Sequence, residues 1–169
     1  MNSFLVIFGA AVNLVGAYAL RDLLHMMVTK EAAFEEARRL SNGKGIINLG
    51  CGPHRTFMAQ VIAGQPEVLA NIDVALDGMP HFIQLDIESK SLPFGDKQFG
   101  AAYLSHVLEH LSNWQFALAE ASRVSDHVVV VLPHPAYFSG WLSPEHKQHF
   151  SRDDIDEIAR LYSNVEVYY

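Results

Sequence analysis

Residues 45–53 read Gly-Ile-Ile-Asn-Leu-Gly-Cys-Gly-Pro, a short apolar run from Gly45 to Leu49 closing on two glycines and a proline. Such a run suits a buried strand that ends in a tight turn, because glycine reaches backbone conformations that a Cβ forbids and lets backbone amides approach a ligand. The pattern then alternates. Val68 to Val74, Phe82 to Leu85, Ala101 to Leu104, His127 to Leu132 and Val165 to Tyr169 read as strands. Arg55 to Ala63, Trp114 to Val124 and Arg152 to Tyr162 read as helices, the last with Ser151 as its cap. Strands alternating with helices predict an α/β fold, a doubly wound and mainly parallel sheet with helices on both faces.

Ahead of this unit, Phe4 to Leu20 is a run of 17 residues without a charge and with Asn13 as its one strongly polar side chain. As a helix it measures about 25 Å, close to the apolar thickness of a bilayer, and Ser3 and Arg21 extend it at either end. A secretory signal fits less well, since no Lys or Arg precedes the run. The basic residues Arg21, Lys30, Arg38, Arg39 and Lys44 all follow it. The expectation is therefore a single membrane span at the N-terminus with the globular part facing the cytoplasm. Asp22 onward continues as a helical stalk that stops near Asn42-Gly43, dividing the chain into residues 1–42 and a domain over 43–169.

Composition narrows the partners. A formal net charge of -7 repels polyanions, which argues against nucleic acid. The single cysteine, Cys51, lies in the glycine turn and forms no metal-ligand series.

In a sheet of this class the ligand lies at the carboxyl ends of the strands, beside the reversal in strand order. Those ends carry Gly50, Cys51, Gly52 and Pro53, then Asp73 with Val74, then Asp86, then Ser105-His106. A carboxylate after the second strand offers two acceptors to the vicinal hydroxyls of a ribose, which suits Asp73. One after the third strand, Asp86, suits the amino group of an adenine.

The stretches IINLGCGPH, NIDVA, QLDIESKSLPFGDKQFGAAYLSHVLEHL, ALAEASRV, VVVVLP and EHKQHFSRDDI together resemble the class I S-adenosylmethionine-dependent methyltransferases, in particular the type 11 group. The resemblance runs from about Gly45 to Ile158. It implies a Rossmann-like methyltransferase fold that uses S-adenosylmethionine without a metal. Asn48 to Pro53 would wrap the methionine part of the cofactor, Asp73 would hold the ribose, Asp86 and Ile87 would flank the adenine, and Ser105 and His106 would close the pocket. Methyl transfer asks chiefly for alignment and exclusion of water, with His106 or His110 as candidate bases.

The sequence departs from that family at Asn48, where an acidic residue is usual, at His54, in place of a third glycine, and at Phe99-Gly100, where Phe-Asp is usual. A Pro-Gly-Gly loop before the fifth strand is missing, and the carboxyl-terminal edge of the sheet is abbreviated. His106-Val-Leu-Glu109-His110 also matches the H-x-x-E-H pattern of inverted zinc peptidases, but no downstream glutamate motif supplies a third ligand, and His146 and His149 read as polar loop residues. A different reading is a noncatalytic subunit that retains the fold as a scaffold. It would dock on membrane-protein partners through the small residues of the span and the edge strand at Val165 to Tyr169.

Overall fold

The computed structural model describes residues 2–52, 57–75, 78–135 and 143–169, with side chains omitted at 2–15 and 57–59. Six strands form one all-parallel sheet: β1 (Ile46–Leu49), β2 (Val68–Asp73), β3 (Phe82–Gln84), β4 (Phe99–Ser105), β5 (Ser125–Val131) and β6 (Val165–Tyr168). Their order is β3-β2-β1-β4-β5-β6, so the chain reverses direction across the sheet between β1 and β4. The strand ends differ from expectation by one or two residues, as they do wherever a ladder frays. The last strand pairs with β5 in parallel and forms the sheet edge directly.

Helix α1 (Asn2–Ser41) is continuous, and its second half lies on the sheet, burying Ala33, Phe34 and Ala37 against Ile46, Ala101, Tyr103 and Val129. Phe34 meets the Tyr103 ring edge-on at 5.4 Å, and the Tyr103 hydroxyl donates to the Lys30 carbonyl at 3.1 Å. Burial pushes that phenol up to about 12. The helix stops where Asn42 and Gly43 take left-handed φ values of 47° and 78°, as the Asn-Gly pair predicts. Short α2 (Phe57–Ala63) contributes Ile62 to the same face.

The other face carries α3 (Trp114–Val124) and α4 (Arg152–Leu161), whose Leu118, Ala121, Ile155 and Ile158 pack on Ile47, Leu49, Leu104, Val128 and Val130. Ser151 caps α4 as expected, accepting from the Asp154 amide while the Asp154 carboxylate accepts from the Ser151 amide. No loop separates α3 from β5. Ser125 ends the helix and starts the strand, its hydroxyl donating to the Ala121 carbonyl at 2.7 Å, so the missing Pro-Gly-Gly is replaced by a side-chain cap.

Phe4 to Leu20, the expected span, falls mostly on side chains outside the described residues. Among the described residues no helix is long and apolar enough to cross a membrane. Tyr18, Leu20, Leu23, Leu24, Met27 and Val28 are apolar and exposed along α1.

One polar network holds the loop before β4. Arg123 donates to Glu120, to the Phe94 carbonyl at 2.8 Å and to the Leu92 carbonyl at 3.0 Å, and the Leu92 amide donates to Glu120 at 2.7 Å. The Arg123 hydrogen bond holds the Glu120 carboxyl below its ordinary value of 4.5. A carboxyl whose folded value is depressed contributes stability above 4.5 and loses it as pH falls through the folded value. Glu120→Gln is therefore expected to cost about 1–3 kcal/mol at neutral pH and much less in acid, measured by urea unfolding on both sides of 4.5.

Candidate functional site

The parallel register brings the carboxyl ends of all six strands to one edge of the sheet, and the reversal between β1 and β4 opens a crevice there. The turn after β1 folds across the end of β2. Gly50 and Cys51 donate from their amides to the Ile72 carbonyl at 2.8 and 3.1 Å, and the Gly52 amide donates to Asp73 Oδ2 at 2.9 Å. Both glycines are required: their φ values are 66° and 71°, and a Cβ on Gly50 would stand 2.6 Å from Val107 Cγ1. Among the described residues a Cβ on Gly52 would meet nothing within 4 Å, so none of them covers the backbone of the turn there.

Asp73 and the glycine turn are thus brought together as the sequence predicts. The second Asp73 oxygen accepts from the Ala75 amide at 2.8 Å, while Val74 is exposed beside it. The Leu85 amide donates to the Asp73 carbonyl at 2.8 Å, which puts the start of the Asp86 turn on the same edge. The Asp86 carboxylate is engaged by its own turn, accepting from the Ser89 hydroxyl at 2.7 Å and the Glu88 amide at 2.9 Å. Those bonds, Ser89 foremost, hold it below its usual range. Ile87 is buried in the core.

Asn48 is buried in β1 and donates to Asn71 Oδ1 at 2.9 Å; Asn71 in turn donates to the carbonyls of Ala63 and Pro80. This pair ties β1, β2, α2 and the segment before β3 together at the base of the site. Cys51 is buried against Ala63 and Met79. Pro53 and His54 lie outside the described residues.

On the far side of the crevice, Ser105 ends β4 and His106 follows with a left-handed φ of 55°, rare for a residue with a Cβ and costly to maintain. The His106 amide donates to the Val131 carbonyl at 2.9 Å. Its ring lines a cavity of about 390 Å³ between α1 and the ends of β5 and β6, together with Met26, Leu132, His134, His146 and Tyr169. Among the described residues, His106 is the one member of the expected cofactor set on this wall. The expected cofactor positions among the described residues run along the strand ends from β3 to β4, and the cavity continues from β4 to β6.

Six of the nine histidines gather here: His25, His106, His110, His134, His146 and His149. His25 and His134 meet edge-on at 5.7 Å, and His110 and His146 at 4.9 Å. Burial, followed by the nearby His25, pushes His134 down from its ordinary value. His146 lies in a loop, and its ring packs on His110 there. The spacing of His106, Glu109 and His110 was visible in the sequence, whereas the approach of His25, His134 and His146 depends on α1 and the loops.

This sheet and crevice define a Rossmann-like methyltransferase fold. Residues 47–127, from β1 into β5, match the model of a family described as a methyltransferase domain. No curated protein and no solved structure matches it. The domain implies S-adenosylmethionine as cofactor, and the bare backbone at Gly52 beside a two-oxygen acceptor at Asp73 fits the polar part of such a molecule.

Proposed function

We propose that the chain is a membrane-anchored methyltransferase that binds S-adenosylmethionine over the Gly50–Gly52 turn and Asp73 and methylates an acceptor held in the neighbouring cavity. The observation that carries this reading is the junction at His106, where the cofactor edge and the cavity meet. S-adenosylmethionine supplies an activated methyl group. The residues of the chain bind, orient and exclude water. Gly52 leaves room for close backbone approach, Asp73 offers its remaining lone pairs to ribose hydroxyls, and the strained His106 faces the cavity, where it can take a proton from a hydroxyl or amine. His110 serves less directly as a base, because it is not among the described residues that line this cavity.

The mostly apolar wall formed by Leu23, Met26, Val131 and Leu132 suits an acceptor with an apolar body. Anchoring rests on the uncharged run from Phe4 to Leu20 and the exposed apolar residues that follow it on α1. The basic residues after the run favour a cytoplasmic domain.

Calorimetric titration of the full-length chain in detergent micelles with S-adenosylmethionine and S-adenosylhomocysteine tests the reading. Saturable binding of either ligand at micromolar concentration is expected. Absence of binding at millimolar ligand would overturn it. The scaffold reading would then stand, in which the engaged Asp86 marks a retired cofactor site and the sheet edge at β6 contacts other membrane-protein subunits.

A further inference from the structure

Glu109 is 1% exposed, and neither carboxylate oxygen makes a hydrogen bond among the described residues. A carboxylate placed so deep without partners is costly and calls for a compensating positive charge. Two groups approach it without making such a bond. His106 Nδ1 stands 3.2 Å from Oε1, and Lys30 reaches the same region from α1, its pKa lowered by burial and drawn back up by the Glu109 charge.

The geometry points to a divalent transition-metal site, best suited to zinc, formed by Glu109, His110 and His146. One carboxylate oxygen and one nitrogen from each ring lie within 4.8 Å of one another, a spread that a metal with bonds of about 2.0–2.2 Å closes by small side-chain movements. The tautomer of His110 is already fixed. A carbonyl only accepts, so His110 Nδ1 donates its proton to Glu145 and Nε2 keeps a lone pair, the arrangement by which a backbone carbonyl orients a metal-bound imidazole.

The scaffold around the site is equally specific. The Glu109 carbonyl accepts from the amides of Lys147 and Gln148 at 2.8 and 3.0 Å, which pins the loop carrying His146 to the turn carrying Glu109 and His110. The sequence offers the H-x-x-E-H pattern, but the set differs from it: the glutamate is a ligand, the third ligand comes from the loop at residue 146, and His106 stands beside the carboxylate. Two imidazoles and one carboxylate leave a fourth position for water, on the wall that His146 shares with the cavity.

This inference is independent of the methyl-transfer reading, and its test reads metal alone. The full-length chain in micelles, stripped with a chelator, is titrated with Zn²⁺, and Co²⁺ replaces zinc for absorption spectroscopy. The expected result is one Zn²⁺ per chain, a raised melting temperature, and the d–d bands of four-coordinate Co²⁺. His146→Ala, on a partly exposed loop that tolerates truncation, and Glu109→Gln, which keeps the buried shape, should each weaken zinc at least about 100-fold. His149→Ala should retain it. Less than one zinc in the wild-type chain, or wild-type affinity in either ligand variant, would show that the other histidines account for any metal and would overturn the site.

Discussion

Gly100→Asp, which restores the residue usual at that position in the resembled family, is expected to yield no stably folded chain. Gly100 lies in β4 directly under the end of α1. A Cβ there would fall on the Ser41 carbonyl, with the carbonyl carbon 2.5 Å and the Ser41 Cα 2.6 Å away. These are backbone atoms, so no rotamer change relieves the overlap. The Gly100 amide also donates to the Gly45 carbonyl at 3.0 Å, which holds the strand in place from the other side. Either α1 lifts from the sheet, exposing Ala33, Phe34 and Ala37, or β4 leaves its ladder. The expected loss exceeds about 4 kcal/mol, in the range reserved for a small set of severe mechanisms. Gly100→Ala should fail nearly as badly, because the first added carbon makes the clash. Circular dichroism and thermal melting of the purified variants check this; a Gly100→Ala chain melting within a few degrees of wild type would mean that α1 does not sit on this strand.

The same contact shows what the sequence displayed and what it did not. At the sequence level Gly100 counts as a lapse from the motif; in the fold it is the position that lets a helix end rest on β4. The packing of α1 was hidden because Glu31, Glu35, Glu36, Arg38 and Arg39 give that segment the look of a solvated stalk, and its buried stripe consists of two alanines and one phenylalanine. The glycine turn and the strand ends were legible for a local reason. A positive φ, a two-residue alternation and an apolar run leave marks in neighbouring residues. Whether a carboxylate is open to a ligand leaves no such mark. Asp73 and Asp86 look equivalent in sequence, yet one reaches across to the turn of another strand and the other closes on Ser89 and Glu88. The histidine cluster is further from legibility still, since its members come from α1, the segment after β4 and two loops.

That difference between the two carboxylates sets the largest functional effect. Asp73→Asn is expected to weaken S-adenosylhomocysteine by about 100-fold, the loss of one hydrogen bond to a charged acceptor and the weakening of the other to a neutral one. Asp73 already receives backbone protons on both oxygens, from Gly52 and from Ala75, and a carboxylate oxygen can accept a second bond, so each retains a direction for one ribose hydroxyl. An asparagine keeps one acceptor. Its NH2 group would face the amide of either Gly52 or Ala75, donor against donor, at a cost of about 1–3 kcal/mol in stability as well as the loss of one ribose contact. Asp86→Asn should behave otherwise. Its oxygens close a local turn, so the variant should lose a little stability and change affinity by less than about tenfold, little more than one neutral hydrogen bond. Calorimetry on both variants, with folding confirmed by thermal melting, separates the two roles. Equal losses would place the nucleoside against both carboxylates, and the Asp86 turn would have to open on binding. An effect confined to Asp73 would support the proposed cofactor edge, in which the glycine turn and a single carboxylate at the end of β2 hold the ribose.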